Sequence, residues 1–311
     1  MTPRRIVLCL DGTWNSTYDE NRRDDGTKVL KPTNVLKLCR AVLPWAPESQ
    51  REQLAYYEIG VGSLAEYPGP SNRLLYRVDR ALGGAWGAGF ESNLETALNY
   101  LVLNHQEGDQ VFLFGFSRGA ATARGLTRFL DWAGGLPTKR DAYYLPVLFR
   151  AFVVGQGKGS GKEVVEQINQ GRTGEKRSRP LDPLKAVDVE YLGVWDTVMA
   201  LGSRFRSAGA STSPVSKSFY VDAQPAQCVR NARQALGIDE ARYDFRPEIW
   251  TGPRQGQTLE QRWFAGVHSN VGGGYTHDGL ANEAFQWILR GATQHGLEVD
   301  AQFTRIYNGF A

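Results

Sequence analysis

Residues 115–119 read Gly-Phe-Ser-Arg-Gly and directly follow the mostly apolar run 110–114. Such a run predicts a buried strand, and a Gly-x-Ser-x-Gly motif behind it is typical of a nucleophile elbow, a sharp strand-to-helix turn that presents a serine hydroxyl. Glycines two positions before and after the serine leave room for the strained turn. Residues 120–130 continue as a helical pattern. The order strand, turn, helix predicts Ser117 as a nucleophile; the alternative is an ordinary turn whose glycines serve packing.

A serine nucleophile needs a general base, and histidine suits this role because its pKa lies near neutral pH. His268 follows the apolar residues 263–267, which predict a buried strand, and precedes the glycine-rich residues 269–275. That position predicts His268 as the base, with His277 as the second candidate. The alternative for His268 is a histidine that only satisfies hydrogen bonds at a strand end. Two further histidines lie near predicted helix ends, where capping or exposure is expected: His105 and His295.

The third member of such a site accepts a hydrogen bond from the imidazole and stabilises its cation. Asp196 ends the predicted strand that includes residues 191–195, and it gives the chain order serine, acid, histidine that α/β-hydrolases have. We therefore predict Asp196 as the acid. Three other aspartates between the serine and the histidine lie in polar loops or near helix ends, where capping or turn roles are expected: Asp222, Asp239 and Asp244.

An oxyanion hole needs backbone N–H groups that already point at the developing charge. One is expected from Arg118, the residue after the serine, and the other from Gly12 or Thr13, which follow the first predicted strand. Asp11 and Trp14 are predicted as supporting residues there; the alternative is a structural turn in which Asp11 caps nearby N–H groups. An Asp-Gly-Thr sequence also occurs in haloacid dehalogenases, but the nucleophilic aspartate of that chemistry is replaced here by Cys9.

Composition excludes several classes of protein. The chain has 311 residues, enough for one large α/β domain or two small ones, and its content of 41% hydrophobic and 11% aromatic residues allows a sizeable core. Its 36 basic and 33 acidic residues give a net charge of +3, which does not indicate a nucleic-acid-binding protein. The three cysteines are widely spaced without metal-ligand pairs, which predicts free thiols in a reducing compartment: Cys9, Cys39 and Cys228.

The pattern of apolar segments bears on where the protein is made and sent. The apolar run at residues 6–10 is too short for a signal peptide, and no run approaches the about 18 apolar residues of a membrane span. The sequence therefore predicts a protein that is cytoplasmic as synthesised. Export through a secretion system that needs no cleaved signal is compatible with this prediction.

Strands alternate with helices along the chain, which predicts a mainly parallel sheet with helices on both faces. Five strands are predicted, at residues 5–10, 53–59, 110–114, 186–195 and 262–267, in the spatial order 2-1-3-4-5. Helices are predicted between them, including one over residues 227–236. Residues 131–185 form an insertion or lid near the site, within a single domain over residues 1–311. The predicted fold is an α/β-hydrolase-like three-layer sandwich.

Four phrases together resemble a known family. They are Leu-Asp-Gly-Thr-Trp-Asn at 10–15, Phe-Gly-Phe-Ser-Arg-Gly-Ala at 114–120, Gly-Val-Trp-Asp-Thr-Val at 193–198 and Gly-Val-His-Ser-Asn-Val-Gly-Gly-Gly-Tyr at 266–275. In this order they are similar to the uncharacterised α/β-hydrolase domain family that includes type VI secretion phospholipase (lipase) effectors. The resemblance runs from about Arg4 to Leu289. It implies a Ser-Asp-His esterase centre at Ser117, Asp196 and His268.

The site residues and the resemblance lead to one hypothesis about activity. We expect hydrolysis of carboxylic esters, in particular lipid or phospholipid acyl esters, through an acyl-enzyme and without a metal or cofactor. The alternatives are a thioesterase, amidase or polyester hydrolase on the same residues, or a non-catalytic binding module with a hydrolase fold. Expected partners are the ester or lipid substrate, transient contact with a membrane surface, and a secretion or immunity protein, but no nucleic acid.

Overall fold

The computed structural model describes residues 3–12, 20–22, 28–60, 85–171, 179–199 and 220–307. The strands are β1 Arg5–Leu10, β2 Glu20–Arg22, β3 Lys28–Leu30, β4 Trp45–Ala46, β5 Arg51–Glu58, β6 Gln110–Phe116, β7 Val189–Trp195, β8 Val229–Gly237 and β9 Thr258–Phe264. The helices are α1 Asn34–Ala41, α2 Ala85–Asn104, α3 Arg118–Ala133, α4 Leu145–Val154, α5 Gly161–Asn169, α6 His268–Gly272, α7 Gly279–Gln294 and α8 Ala301–Arg305. Short 3₁₀ turns lie at Lys139–Tyr144 and Tyr243–Phe245.

A seven-stranded sheet forms the centre of the molecule, in the order β4-β5-β1-β6-β7-β8-β9. Every neighbouring pair from β5 to β9 is parallel, and the short β4 pairs antiparallel with β5. Because parallel strands share one direction, the carboxyl ends of β1, β6 and β7 meet at one edge of the sheet. Ligands of open α/β sheets bind at such an edge.

The predicted strand order is confirmed for its first four members, which are β5, β1, β6 and β7, but β8 lies between them and the last strand. The helix predicted over residues 227–236 was wrong, since most of that segment forms β8. Its arginine, glutamine and alanine residues favour a helix in isolation, but pairing with β7 on one side and β9 on the other overrides that preference.

The last strand also differs from the prediction. β9 ends at Phe264 rather than at residue 267, and it is a partly exposed edge strand rather than a buried one. A parallel edge strand has a neighbour on one side only, so its apolar residues are covered incompletely. His268 is therefore separated from the end of β9 by a short turn.

Helices cover both faces of the sheet. One face packs against α2, α3 and α4, and the buried residues there include Leu8, Leu113 and Leu126. The other face packs against α1 and α7, with Phe114 and Phe285 among its buried residues. The chain therefore has the α/β-hydrolase-like three-layer architecture that its pattern predicted. None of the helices in the described ranges is long and apolar enough to cross a membrane.

The described part of the insertion at 131–185 is helical and packs along α3. Aromatic rings of α4 contact the far half of that helix, with ring centroids 5.5 Å apart for Phe152 and Phe129 and 5.4 Å apart for Phe152 and Trp132. Phe129 lies roughly 18 Å along the helix from Ser117, at a rise of about 1.5 Å per residue. The aromatic residues of α4 thus pack against α3, away from Ser117. Residues 172–178 of the insertion lie outside the described ranges.

Candidate active site

Ser117 forms a one-residue turn between β6 and α3. Its φ of 57° and ψ of −121° lie where residues other than glycine are rarely found, so the surrounding structure must hold this conformation. Its N–H donates to the Trp195 carbonyl oxygen at 3.0 Å, and its own carbonyl accepts from the Val198 N–H at 3.3 Å. Among the described residues, no group bonds to the Ser117 hydroxyl, which is also not used to cap α3.

The two glycines of the motif make this turn sterically feasible. A Cβ at Gly115 would lie 2.5 Å from the Gly119 carbonyl oxygen, and a Cβ at Gly119 would overlap the Leu10 carbonyl oxygen. The start of α3 can therefore approach the end of β1 closely, as the sequence motif predicts.

Asp196 takes the corresponding position beyond the neighbouring strand. Trp195 and Phe116 are register partners, so Asp196 and Ser117 each follow one member of this pair, on strands about 4.8 Å apart. Asp196 also has a left-handed backbone, with φ of 44°, and it is 0% exposed. Its Oδ1 accepts the Gly237 N–H at 3.0 Å, which fixes the carboxylate and leaves Oδ2 for another donor.

His268 supplies that donor. Its Nδ1 lies 2.6 Å from Asp196 Oδ2, and the side chain is buried. Two aromatic rings hold the imidazole: Phe116 at a centroid distance of 4.6 Å and Phe245, edge to face, at 4.8 Å. With Nδ1–H bonded to the carboxylate, the neutral ring presents Nε2 as a proton acceptor. The imidazole thus contacts the residue that immediately precedes Ser117 in the chain.

The loop between β8 and β9 holds the backbone on which His268 is carried. Glu240 Oε2 accepts the His268 N–H at 3.2 Å, and Asp239 Oδ2 accepts the Gly266 N–H at 2.7 Å. Arg242 donates three hydrogen bonds to Glu240, two from its side chain and one from its backbone N–H, and these bonds lower the pKa of Glu240 to about 2. Glu240 is therefore a carboxylate at neutral pH, when its charge faces the backbone of the histidine.

The turn after β1 is a second polar cluster at the same edge. Asp11 Oδ1 accepts the Gly12 N–H at 2.6 Å, and its Oδ2 accepts the hydroxyls of Thr33 and Tyr57, both at 2.6 Å. Burial and the nearby Asp11 carboxylate raise the pKa of Tyr57, so its hydroxyl keeps the proton that it donates. The Gly12 N–H already has an acceptor, as in the structural-turn alternative, and its oxyanion role stays a prediction. Thr13 and Trp14 lie outside the described residues.

Arg118 opens α3 directly after the serine. Its backbone N–H belongs to the first turn of the helix, where N–H groups have no partner within the helix. Burial lowers the pKa of its side chain to about 9, so the guanidinium stays charged at neutral pH. Within the described ranges no cluster of His, Cys, Asp or Glu side chains has the makings of a metal site. The arrangement of Ser117, Asp196 and His268 is suited to acid–base and nucleophilic chemistry.

The remaining candidates lie apart from the Asp196–His268 pair. His277 is exposed in the loop before α7. His105 follows the end of α2, beyond Asn104, and burial lowers its pKa. His295 caps the end of α7. Asp222 forms an ion pair with Arg128 at 3.2 Å. Capping and surface roles account for the described positions of these residues.

Sequence reasoning missed the residues that hold the histidine. Glu240, Phe245 and Asn34 all contact His268 or the segment around it. Each belongs to a different element from His268, and no local motif marks it. An acidic residue shortly after a strand that ends at the same edge is the one signal that points to Glu240.

Comparison with known proteins identifies the family of this chain. A model described as "T6SS, Phospholipase effector Tle1-like, catalytic domain" matches residues 4–291. The "Uncharacterized protein YEL023C" of Saccharomyces cerevisiae is 28% identical over 251 residues, which are 80% of this chain and 33% of the yeast protein. This chain therefore spans about a third of the length of that relative.

Solved structures with a similar fold include an uncharacterized protein from Pseudomonas aeruginosa, with a TM-score of 0.50 and 17% identity over 97% of this chain and 47% of that one. A structure of the Tle1 effector bound to the VgrG spike has a TM-score of 0.41 and 19% identity over 88% of this chain and 51% of that one. Zea mays acyl-protein thioesterase 2 has a TM-score of 0.32 and 12% identity over 93% of both chains.

Proposed function

This chain belongs to the Tle1-like family of type VI secretion phospholipase effector catalytic domains, and we propose that it is a serine hydrolase of carboxylic esters. The proposed substrates are the acyl esters of lipids or phospholipids. The single observation that carries the proposal is the 2.6 Å hydrogen bond between His268 Nδ1 and Asp196 Oδ2, because Asp196 follows the register partner of Phe116, the residue before the strained turn at Ser117.

The proposed reaction uses Ser117, His268 and Asp196 as nucleophile, base and acid. His268 Nε2 takes the hydroxyl proton while Ser117 Oγ attacks the ester carbonyl, and the proton then passes to the leaving alcohol. His268 Nε2 then takes a proton from a water molecule, whose oxygen attacks the acyl carbon. The bond between the acyl group and Ser117 Oγ breaks, the carboxylic acid leaves, and His268 Nε2 returns the proton to Ser117 Oγ. Asp196 stabilises the imidazolium in both halves of the reaction.

Charge on the tetrahedral oxygen requires N–H donors, and the Arg118 N–H is the first of these in our proposal. The second comes from the turn at Gly12 or Thr13. Because the Gly12 N–H is bonded to Asp11 Oδ1, its use would require a small rotation of that turn when the substrate binds.

The extent and partners of the protein are also proposals. We propose one catalytic domain over residues 1–311, with residues 131–185 as an insertion or lid. The relative whose structure was solved on the VgrG spike suggests a secretion partner of that kind for this chain, and export without a cleaved signal. Transient contact with a membrane surface and an immunity protein complete the proposal.

Replacement of the nucleophile tests the proposed activity. Ser117→Ala should lower kcat for a phospholipid or short-chain ester by about 10⁴-fold or more, as the loss of a triad member generally does. Ser160→Ala, which removes a hydroxyl at the start of α5, is the control and should keep the native rate. A fluorophosphonate probe should label the native chain and neither Ser117→Ala nor His268→Ala.

The outcomes separate the alternatives. No labelling and no hydrolysis by the native chain would favour a binding module. Labelling at Ser117 with faster turnover of thioesters, amides or polyesters than of lipid esters would retain the three residues and change the substrate. Full activity in Ser117→Ala would refute the proposed mechanism.

A further inference from the structure

The base of the proposed reaction is carried by a helix that cannot hold itself in place. α6 spans only His268–Gly272, and isolated helices shorter than about 12 residues are marginal in water. The position of the imidazole therefore depends on what the rest of the chain does to this segment. Glu240 and Phe245 contact its start.

Asn34, the first residue of α1, contacts the other end of the segment. Its side chain is 0% exposed. Nδ2 donates to the Val271 carbonyl oxygen at 2.8 Å, inside α6, and to the Ala281 carbonyl oxygen at 2.9 Å, in the first turn of α7. One amide thus joins α6, α7 and α1. Given the role proposed above for His268, we infer that Asn34 is a positioning residue that sets the place of this base.

The backbone around Asn34 is fitted to the same segment. Thr33 and Gly273, which directly follows α6, form an antiparallel bridge. Gly273 has φ of 87°, and a Cβ there would lie 2.8 Å from the Asn34 nitrogen. The chain that leaves the histidine helix is therefore in close contact with the start of α1, and side chains larger than glycine would separate them.

The start of α1 is also bonded to the other side of the site. Thr33 Oγ1 donates to Asp11 Oδ2 at 2.6 Å, and Asp11 directly follows β1. Since Gly119 packs on the Leu10 carbonyl, the serine turn rests on the end of the same strand. The bonds of Thr33 and Asn34 thus place the histidine helix relative to the strand end against which the serine turn packs.

The amide of Asn34 carries a cost as well as a gain. Among the described residues, Asn34 Oδ1 is a buried acceptor without a hydrogen-bond partner, and such an acceptor costs about 1–3 kcal/mol. An apolar side chain of similar size would avoid this cost but would remove the donor from the Val271 and Ala281 carbonyl oxygens. What the amide supplies is two directed donors, and these fix the position of α6 in a way that apolar packing does not.

A residue that positions the base but does not touch the substrate affects kcat and not KM. Asn34 is fully buried, so its loss should leave KM nearly unchanged. Misplacement of a reacting group by about 1 Å lowers the rate by about 100-fold, so kcat and the rate constant of fluorophosphonate inactivation should both fall.

The test compares two buried residues of α1. Asn34→Leu removes both donors at similar volume. Lys37→Met is the matched control, because Lys37 is also 0% exposed and its Nζ bonds Asp278 and Asn282, both at 2.7 Å, without a bond to α6. We expect Asn34→Leu to lower kcat and the inactivation rate by about 30- to 100-fold with KM within about twofold. Lys37→Met should stay within about threefold of the native rates, at a comparable loss of Tm.

The result that overturns the inference is a native inactivation rate in Asn34→Leu, or an equal loss in Lys37→Met. Should the leucine variant not fold, Asn34→Ser keeps one donor in a smaller side chain. Its inactivation rate should fall by about 10-fold, and a native rate would again overturn the inference. If the native chain itself does not react with the probe, the proposed function fails first; if it reacts and the Asn34 variants match it, only the positioning role fails.

Discussion

The two halves of the candidate site are held in different ways. Ser117 and Asp196 each follow directly on a buried parallel strand, and the register between β6 and β7 sets their separation. His268 instead lies past an edge strand, on a short helix held by side chains from the β8–β9 loop and α1. The sheet thus fixes the nucleophile and the acid, whereas tertiary hydrogen bonds fix the base.

This contrast indicates which parts of the site tolerate a substitution. A strand-borne group moves only if the sheet moves, which costs much of the fold. A group on a short helix moves when a single hydrogen bond or ring contact is lost, at a smaller cost in stability than a displaced strand of the sheet. Substitution of a residue that holds His268 should therefore lower kcat by more than the loss of Tm would suggest. Substitution of Ser117 or Asp196 should abolish activity through loss of the reacting group itself, without displacing any element.

Asp196→Asn tests the strand-borne half and has the largest expected effect. The amide can still accept from Gly237, but its N–H₂ group faces His268 Nδ1 and forces the wrong tautomer, so kcat should fall by about 10⁴-fold. Steady-state kinetics and Tm together provide the measurement. Asp222→Asn, in an aspartate paired with Arg128, is the control and should keep kcat. Native activity in Asp196→Asn would contradict the assignment of the acid.

Gly272→Ala tests the half of the site that lies on α6, because it displaces the surroundings of His268. A Cβ at Gly272 would overlap the Phe116 ring, so either α6, which carries His268, or the Phe116 ring, which contacts its imidazole, must shift. We expect kcat to fall by about 100-fold, since about 1 Å of misplacement has that effect. The control is Gly252→Ala, where a Cβ meets no atom within 4 Å. Equal kcat values for the two variants would show that the position of α6 does not limit the reaction.

How much of this site the sequence predicts follows from the same contrast. Ser117 and Asp196 are predictable because each ends an apolar run, a pattern read from a few neighbouring residues. The contacts of Asn34 with Val271 join residues 237 positions apart, and no local pattern carries that information. The Asp196–His268 pair was predicted as a role, from residue types and chain order, and the structure brings the two side chains into contact.

The fold shows the same limit. The order of β5, β1, β6 and β7 follows from alternation of strands and helices and from right-handed connections. β8 was missed because its strand state depends on two neighbouring strands rather than on its own composition. Gln234 illustrates this: it is fully buried and bonds Thr197, Glu248 and Gln261, so polar residues that look solvent-exposed in the sequence are satisfied inside the molecule.

Glu240→Gln tests the support of the histidine through its dependence on pH, and we expect a smaller effect than from the two substitutions above. The variant keeps an acceptor for the His268 N–H but loses the charge that pairs with Arg242. The folded-state pKa of Glu240 is lowered to about 2, so its charge stabilises the fold above the ordinary carboxyl range, and this contribution is lost as pH falls towards about 2.

The measurement is the difference in Tm between the native chain and Glu240→Gln. It should be constant from about pH 7 to about pH 5, narrow below about pH 4.5, and vanish near pH 2. Glu260→Gln is the control, in a half-exposed residue that also pairs with an arginine, and should show a much smaller difference throughout. A difference that grows as pH falls would contradict the role given to the Glu240 charge.

The left-handed backbone at Ser117 implies a conflict between thermal stability and the proposed catalytic role of the hydroxyl. A conformation of this kind costs about 1–3 kcal/mol for any residue with a side chain and almost nothing for glycine. An inactive form with glycine at this point would therefore outlast the active one on heating. Thermal stability alone would favour glycine at position 117, where the chain has serine.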